Sequence, residues 1–349
     1  MRKYSVIENE KDKPGQNEVS HFLHQDLLPG NEKNFLADIE DKTGFMPREL
    51  LSQSRWWGST EHGASLYLGE YLGKKAVLKV QEAKPTSSEI CMIESFAREN
   101  TSRKLRPPYL YTSVPWNDET KYEALIMEYV TGDKVIHVPT TASEVSQFFK
   151  LFADYRVNCR QNPWVAKPEG NPAQKVASNF ARWRDASLKI YPDHPLREAV
   201  DADLIDRAVA VLSEEYADIE PEFVHGHFSH VDLYKSGDQV VVFSNLFWSW
   251  RPPFYDAVFA YHWFIYQLND VSWISPEKVE GQRKLWLSEI DKLVKQPNDR
   301  HLLNLALLER TAAGLNLDAL SADPEKQITP YLVARTRELL KKYLKELGA

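Results

Sequence analysis

The sequence predicts an α+β protein of two lobes, in which a small antiparallel sheet precedes a mostly helical region. Residues 56–130 alternate apolar and polar side chains in short runs separated by glycine turns, which is the period of half-buried strands. Beyond residue 132 the apolar side chains recur with the helical period, apart from one short apolar run that predicts strands. We therefore divide the chain into a polar extension at 1–39, a sheet-rich lobe at 40–130 and a helical lobe at 131–349.

Composition and charge argue against several classes of protein. The chain has 349 residues and a formal net charge of −7, so it lacks the basic surface with which dedicated nucleic-acid-binding proteins neutralise phosphates. No apolar run reaches the roughly 18 residues of a membrane-spanning helix, and the charged N-terminal residues lack an apolar signal segment. Two cysteines, Cys91 and Cys159, are too few for a disulfide framework. We expect a cytoplasmic protein whose partner is neither a nucleic acid nor a membrane.

The individual elements follow from period, turn residues and caps. The first lobe is predicted to contain a short helix at 33–41, strand–turn–strand–turn–strand over 56–81, a helix at 89–102, and strands at 109–116 and 122–130. Ser87 or Ser88 suits the N-cap of the helix at 89–102, and Pro107 with Pro108 ends it. The second lobe is predicted to contain helices at 142–160, 171–190, 203–217, 256–268, 276–294, 300–316 and 329–347, with strands within 223–248.

Lys79 is the one charged residue in the apolar run Ala76–Val80. One interpretation is an edge-strand lysine whose ammonium reaches water along its own aliphatic stem. Another is a lysine aimed from the sheet at an anion, which the acidic helix predicted next, with Glu89 and Glu94, favours. Alternation along the strand does not decide between the two, because Val77 shares the face of Lys79.

The segment Ser59–Ser65 is predicted to be a turn and contains a single glycine, Gly63. Loops that bind phosphate usually contain several glycines, so that their backbone amides approach the anion closely. The segment therefore predicts a hairpin turn first, and Gly63 is kept as a candidate phosphate-binding position.

Polar functional groups are densest in the segment His225–Asp232, which reads HGHFSHVD. It lies between two apolar runs, so structured elements should place its side chains. Its three histidines and its aspartate have the ligand chemistry of a zinc site, but their spacing matches no standard zinc pattern and no cysteine assists. The other interpretation is a structural loop whose histidines bind backbone groups.

The order of these features resembles the aminoglycoside phosphotransferase and choline-kinase branch of the protein-kinase-like fold, over roughly residues 56–345. That branch has a strand lysine, a helix glutamate, a hinge after a strand, a loop HGD followed by Asn, a strand ending in a metal-binding Asp, and a buried Asp that opens a helix. In this sequence those features fall on Lys79, on Glu89 or Glu94, on Leu125–Val130 with Glu128, on His225–Asp232, on the end of the run VVVFSN, and on Asp256. The resemblance implies a nucleotide site at Lys79, Gly63 and Glu128, and loop-supporting roles for His225 and Asp256.

The sequence departs from the family pattern at the reacting positions. His227 stands where the family has its catalytic Asp, and Asp232 stands where it has a metal-binding Asn. Ser244 or Asn245, depending on the alignment, stands where it has the metal-binding Asp. Asp232 would partly replace the lost carboxylate, and an imidazole that titrates near pH 6.5 suits a general base.

Three functional hypotheses follow from the resemblance and its departures. The first is a divergent small-molecule kinase that uses ATP or GTP, with magnesium binding weakened or lost, to phosphorylate a small hydroxylated acceptor. His227 and Asp232 are then the catalytic candidates, and Asp232 with Asn245 the metal candidates. The second is an inactive pseudokinase that binds a ligand or a protein partner. The third is a zinc-dependent hydrolase built on the histidine cluster.

Overall fold

The computed structural model describes residues 32–55, 62–82, 84, 87–137, 141–170, 172–190, 193–271, 274–318 and 323–349. These residues form two compact units. The first unit contains the chain up to Val135 together with Asp154–Asn162 and Val231–Leu246; the second contains Ile136–Ala153, Pro163–His230 and Phe247–Ala349. The units differ from the predicted lobes because two later segments fold with the N-terminal sheet.

A five-stranded antiparallel sheet organises the first unit. Its elements are α1 (Glu32–Thr43), β1 (Met46–Arg55), β2 (His62–Tyr71), β3 (Lys74–Gln81), α2 (Glu89–Glu99), β5 (Leu110–Asn117) and β6 (Tyr122–Glu128), with β4 (Leu105–Arg106) outside the sheet. The strand order is β1-β2-β3-β6-β5. This is the small antiparallel sheet that the sequence predicted.

The two faces of this sheet are covered by different helices. On one face, Leu78 and Ile126 pack with Phe35 and Ile39 of α1. On the other, Leu125 and Met127 pack with the apolar side of α2, at Ile90 and Ile93. Because side chains alternate along a strand, Lys79 shares the α2 face with Val77. The extension predicted to reach residue 39 is therefore shorter, since α1 belongs to the core of the sheet.

Strand β1 was missed by the sequence pattern, which predicted the first strand from residue 56. Residues 56–61 lie outside the described residues, so the predicted strand start and the first three residues of the turn Ser59–Ser65 are not described. Gly63 itself lies in β2 rather than in a turn.

A three-stranded sheet completes the first unit. Its strands are β4, β8 (Leu233–Ser236) and β9 (Gln239–Val242), in the order β4-β9-β8. Strand β4 runs parallel to β9, and β9 runs antiparallel to β8. The residues just before β8 and just after β9 include Asp232 and Ser244, so this hairpin brings the two together.

The second unit is mostly helical, as predicted. Its elements are α3 (Ala142–Asn158, whose last turn joins the first unit), α4 (Pro172–Ile190), α5 (Val200–Glu215), β7 (Glu222–Val224), β10 (Ser249–Arg251), α6 (Tyr255–Gln267), α7 (Pro276–Asp291), α8 (Asp299–Ala313) and α9 (Thr329–Glu346). Strands β7 and β10 form a short antiparallel ribbon. None of the described helices combines the length and apolar composition needed to cross a membrane.

Aromatic side chains form the centre of the second unit. Trp286 is fully buried, with the rings of Phe148 and Phe264 centred 5.1 Å and 4.9 Å from it. Phe228, from the segment His225–Asp232, packs 5.8 Å from Phe148. The segment is thus fixed by an aromatic anchor, whatever its polar residues do.

Candidate functional site

An ion pair between Lys79 and Glu89 lies on the α2 face of the first sheet. The Lys79 ammonium donates a hydrogen bond to Glu89, and Gln81 Nε2 donates to the same carboxylate at 2.8 Å. Glu89 is the first residue of α2 and is only 3% exposed, so the partial positive charge of the helix N-terminus also favours its carboxylate. Glu94 points to solvent. The structure therefore pairs Lys79 with Glu89 and not with Glu94.

A second buried carboxylate, Glu123 of β6, holds the beginning of α2. It accepts a hydrogen bond from Ser88 Oγ at 2.6 Å and one from the Glu89 backbone N–H at 3.3 Å. Burial raises the pKa of Glu123 despite these donors. Ser88 occupies the N-cap, as predicted, but its hydroxyl binds Glu123 instead of its own helix. Lys79 and Gln81 thus hold the Glu89 side chain, and Glu123 holds its backbone N–H.

Glu128 has a structural partner. Both of its carboxylate oxygens accept from the Arg106 guanidinium, and the Tyr109 backbone N–H donates to it at 2.8 Å. Arg106 also donates to Gln239 Oε1 at 3.1 Å and to Ser236 Oγ at 3.2 Å. The Glu128 side chain thus ties the first sheet to the three-stranded sheet and is not directed at a ligand.

Asp232 and Ser244 meet at the β8–β9 hairpin. Ser244 Oγ donates to Asp232 Oδ1 at 2.6 Å, and the Phe243 N–H donates to the Asp232 carbonyl at 2.9 Å. Ser244 adopts a left-handed backbone conformation with φ of 63°, which turns its side chain towards Asp232. Asn245 donates from Nδ2 to the Val242 carbonyl at 2.9 Å. Of the two positions left open by alignment, Ser244 is the one placed beside Asp232.

The beginning of the loop is held by Asp256. The Gly226 N–H donates to Asp256 Oδ1 at 2.9 Å. Gly226 has φ of +77°, and a Cβ there would lie 2.4 Å from the Phe247 carbonyl oxygen, so only glycine suits the position. His225 Nδ1 accepts from the His227 N–H at 3.3 Å. These two contacts hold the backbone of the loop at Gly226 and His227.

His227 lies among aromatic rings. Its imidazole stacks on Phe247 with centroids 4.8 Å apart, and its centroid lies 4.6 Å from that of Phe259 and 5.7 Å from that of Trp263. The side chain remains partly exposed. The imidazole also acts electrostatically on the buried carboxylate Asp318, whose pKa burial raises and His227 lowers. The ring is therefore held in a fixed plane by its aromatic neighbours.

The three histidines do not converge on a common point. The His225 ring packs 5.0 Å from Trp248, and the His230 ring packs 5.0 Å from Phe264, each in its own surroundings. Across the described ranges, no group of three or more His, Cys, Asp or Glu side chains is arranged to hold a metal ion. The zinc hypothesis therefore has no ligand set in this part of the chain.

Sequence reasoning missed Gln81 and Glu123, which complete the surroundings of Glu89. A signal for Gln81 was present, because a residue two positions beyond Lys79 on a strand shares its face. Glu123 gave a weaker signal, as one of two glutamates in the otherwise apolar run Tyr122–Val130. Arg106 gave none, because its partner Glu128 is 22 positions away.

Neither a protein-family model nor a curated protein matches the sequence. Solved structures do match over nearly the whole chain. The aminoglycoside phosphotransferase APH(4)-Ia has a TM-score of 0.54 at 13% identity, covering 91% of this chain and 99% of that one. The fold is that of the aminoglycoside phosphotransferases. An amicoumacin kinase is similar at a TM-score of 0.55 and 12% identity, covering 90% of this chain and 94% of that one. At such identities the likeness establishes the fold alone.

Two features of the geometry bear on function. The first unit pairs a strand lysine with a helix glutamate. The segment His225–Asp232 has an imidazole at 227 and one carboxylate, Asp232, which is hydrogen-bonded to a serine hydroxyl.

Proposed function

We propose that this protein is a divergent small-molecule phosphotransferase that binds a nucleotide through Lys79. The observation that carries the proposal is the buried Lys79–Glu89 pair, in which the Lys79 side chain is 13% exposed. A lysine held in one place by a carboxylate offers a fixed cation to nucleotide phosphates, as in other kinase-like sites. Two structural neighbours support this use of the fold, since one is in complex with AMP-PNP and hygromycin B and another with AMP-PNP and Ca²⁺.

Asp232 and Ser244 are the residues that would hold a divalent cation. They supply one carboxylate and one hydroxyl, which are oxygen ligands of the type that magnesium prefers. A site with a single carboxylate suits a weakly held ion. When bound, the ion would neutralise charge on the nucleotide phosphates.

His227 is the group that would accept the proton of the acceptor hydroxyl. An imidazole titrates near neutral pH and suits a general base. Stacking on Phe247 limits its rotation, so its proton-accepting edge is presented in one direction. The proton would leave the hydroxyl for the imidazole as the phosphoryl group is transferred.

The surroundings of His227 favour an uncharged or anionic hydroxyl compound over a polycation. Two acidic residues of the second unit are already used internally. Glu309 accepts from Tyr216 at 2.9 Å, and Asp318 pairs with Arg310 at 2.9 Å. Both carboxylates would have to give up these partners to bind the amines of a cationic acceptor.

A pseudokinase is the second candidate, and a specific observation favours it. Both carboxylates that the family places at positions 227 and 244 are missing, and His227 is packed between aromatic rings. In that case Lys79 would bind a ligand that is not turned over. A protein partner would then bind the ligand-bound protein.

Thermal unfolding tests nucleotide binding directly. We would compare ATP and GTP, each with magnesium, with manganese and with EDTA, for the wild type, for Lys79→Ala and for Lys75→Ala. Lys75 is an exposed lysine of the same strand and serves as the matched control. A ligand at 100 times its dissociation constant adds about 2.7 kcal/mol, or several degrees. We expect a shift in the wild type and Lys75→Ala that Lys79→Ala lacks. No shift with any nucleotide would contradict the phosphotransferase and favour a pseudokinase that binds a protein partner.

A transfer assay then separates the two candidates. Wild type and Asp232→Ala would be incubated with labelled nucleotide and a panel of small hydroxyl compounds. Transfer that Asp232→Ala loses is expected of the phosphotransferase. Nucleotide binding without transfer or hydrolysis would leave the pseudokinase.

A further inference from the structure

A cavity of about 370 Å³ lies within the second unit. Its walls come from the segment 167–170, the beginning of α4, the turn 217–221, the end of β10 and Glu309 of α8. This volume falls within the range of small-molecule sites in proteins. Nothing in the proposed phosphotransferase function uses this cavity.

The cavity is separated from the His225–Asp232 loop by the length of the β7–β10 ribbon. In that ribbon Ser249 pairs with Val224, next to the loop, whereas Arg251 pairs with Glu222 at the opposite end. Antiparallel strands rise about 3.4 Å per residue, so roughly 7–10 Å of strand separates the two ends. Arg251 and not Ser249 lines the cavity, although Arg251 Nε reaches back to donate to Ser249 Oγ at 3.1 Å. The residues that line the cavity include none of the His225–Asp232 loop.

Two cations of the cavity wall, Lys175 and Arg251, act on each other electrostatically. Among the residues that the structure describes, Lys167 is paired with Glu220, whereas Arg251 donates to Ser249 Oγ at 3.1 Å and lies over the Tyr255 ring. Partial burial and the charge of Arg251 together lower the pKa of Lys175. The two positive charges thus repel each other across the cavity, and an anion between them would relieve that repulsion.

Glu309 does not provide that anion. Its carboxylate is fully buried and accepts from Tyr216, and burial raises its pKa although Arg251 acts in the opposite direction. Two further carboxylates of the lining, Glu169 and Asp218, would repel a ligand of high negative charge. The charges therefore suit an anion that carries one or two charges.

The remaining wall is apolar and rigid. The Trp250 indole N–H donates to the Val165 carbonyl at 2.8 Å, which fixes the ring. Three prolines, Pro168, Pro221 and Pro252, also line the cavity. A flat apolar group would pack against this wall without ordering any flexible side chain.

We propose that this cavity is a second binding site, for a small organic anion that joins a carboxylate or phosphate monoester to a flat apolar group. Lys175 and Arg251 bind the anionic group, and Trp250 packs against the apolar group. The site lies within one unit and is independent of the proposed nucleotide site at Lys79.

Calorimetric titration of the full chain with phenyl phosphate, benzoate and inorganic phosphate tests this site. We expect saturable binding of phenyl phosphate or benzoate, and weaker binding of inorganic phosphate, which lacks the apolar group. Lys175→Gln and Arg251→Gln should each weaken binding by about tenfold or more. Lys341→Ala, at an exposed lysine of α9, is the matched control and should bind as the wild type does. Circular dichroism would establish that each variant is folded, and Lys175→Gln remains informative if Arg251→Gln is not.

Several results would overturn the proposal. The absence of saturable binding for all three compounds would do so, as would binding that Lys175→Gln leaves unchanged. Equal affinity for inorganic phosphate would remove the role of the apolar wall. Loss of phenyl phosphate binding in Lys79→Ala would place the compound at the nucleotide site instead, whereas retention there supports the second site even if no nucleotide binds.

Discussion

The α2 face of the first sheet and the His225–Asp232 loop differ in how their polar residues are held. On the sheet, Lys79 and Glu89 form a buried pair that Gln81 completes. In the loop, Asp256 binds the Gly226 N–H, while the His227 imidazole packs among aromatic rings and is partly exposed. The residue that holds the loop backbone is thus distinct from the residue proposed to react.

The stability of the folded protein is one reason for a buried Lys79–Glu89 pair, whatever the pair binds. Removing one partner of a buried ion pair costs several kcal/mol, because the other charge is left without compensation. His227 is partly exposed and bears no such constraint. The retained Lys79–Glu89 pair therefore has to be tested by ligand binding, and the altered loop by restoring what it lacks.

The largest effect is expected from restoring the family's carboxylates in the loop. In His227→Asp combined with Ser244→Asp, a carboxylate base replaces the imidazole and a second carboxylate metal ligand is added. We expect nucleotide hydrolysis or transfer to exceed that of a double variant without either carboxylate by about 100-fold, the lower end for general-base catalysis. The matched control is His227→Asn with Ser244→Asn, which has similar shape but no carboxylate. Equal rates in the two double variants would mean that the loop is not the limiting difference.

Glu128 tests whether the first unit depends on its other buried pair. Glu128→Ala leaves the Arg106 guanidinium buried without its carboxylate, so the free energy of unfolding should fall by about 3–5 kcal/mol. Glu119→Ala, at an exposed turn of the same sheet, should change it by less than about 0.5 kcal/mol. Denaturant unfolding measures both. A small loss in Glu128→Ala would show that water reaches Arg106.

Asp256 tests the support of the loop. Asp256→Ala removes the acceptor of the buried Gly226 N–H, which should cost about 1–3 kcal/mol. Asp256→Asn keeps an oxygen at that place and should cost less. If the free energy of unfolding falls equally in both variants, the charge of Asp256 and not its hydrogen bond supports the loop.

The smallest effect is expected at His262, a histidine buried in α6 of the second unit. Burial, with Arg310 and Arg283 nearby, holds the pKa of His262 well below its usual range. Below about pH 6.5 the unfolded chain binds a proton at this histidine and the folded chain does not. The free energy of unfolding therefore decreases as the pH is lowered, by at most about 1.4 kcal/mol per pH unit. His262→Gln should flatten this slope in denaturant unfolding between pH 7 and 5, about the titration range of histidine. The exposed His301→Gln is the control; the same slope in all three proteins would contradict the assignment.

The sequence predicted the helices of the second unit because their apolar period is long and regular. It did not predict β1 (Met46–Arg55), whose run MPRELLSQSR lacks alternation. Its pairing with β2 contains three register shifts, so its side chains do not keep a strict alternation along the strand. Only tertiary pairing marks it as a strand.

The choice between Glu89 and Glu94 shows why the site was only half predictable. Both belong to one acidic helix, so composition favours neither. Five residues along a helix of 3.6 residues per turn rotate a side chain by about 140°, so only one of the two faces the sheet. Which one depends on how α2 packs, and Ile90 and Ile93 decide it. After β9, likewise, the sequence does not show that a left-handed backbone at Ser244 places its hydroxyl on Asp232.

Calorimetric titration of ATP with magnesium into the wild type, Glu89→Gln and Glu94→Gln tests the central claim most directly. If the Lys79–Glu89 pair is the nucleotide-binding device, Glu89→Gln should weaken binding by about tenfold or more, equal to about 1.4 kcal/mol. Glu94→Gln should bind as the wild type does, because its side chain is exposed. Unchanged affinity in Glu89→Gln, or an equal loss in both variants, would contradict the claim that this pair positions Lys79 for a nucleotide.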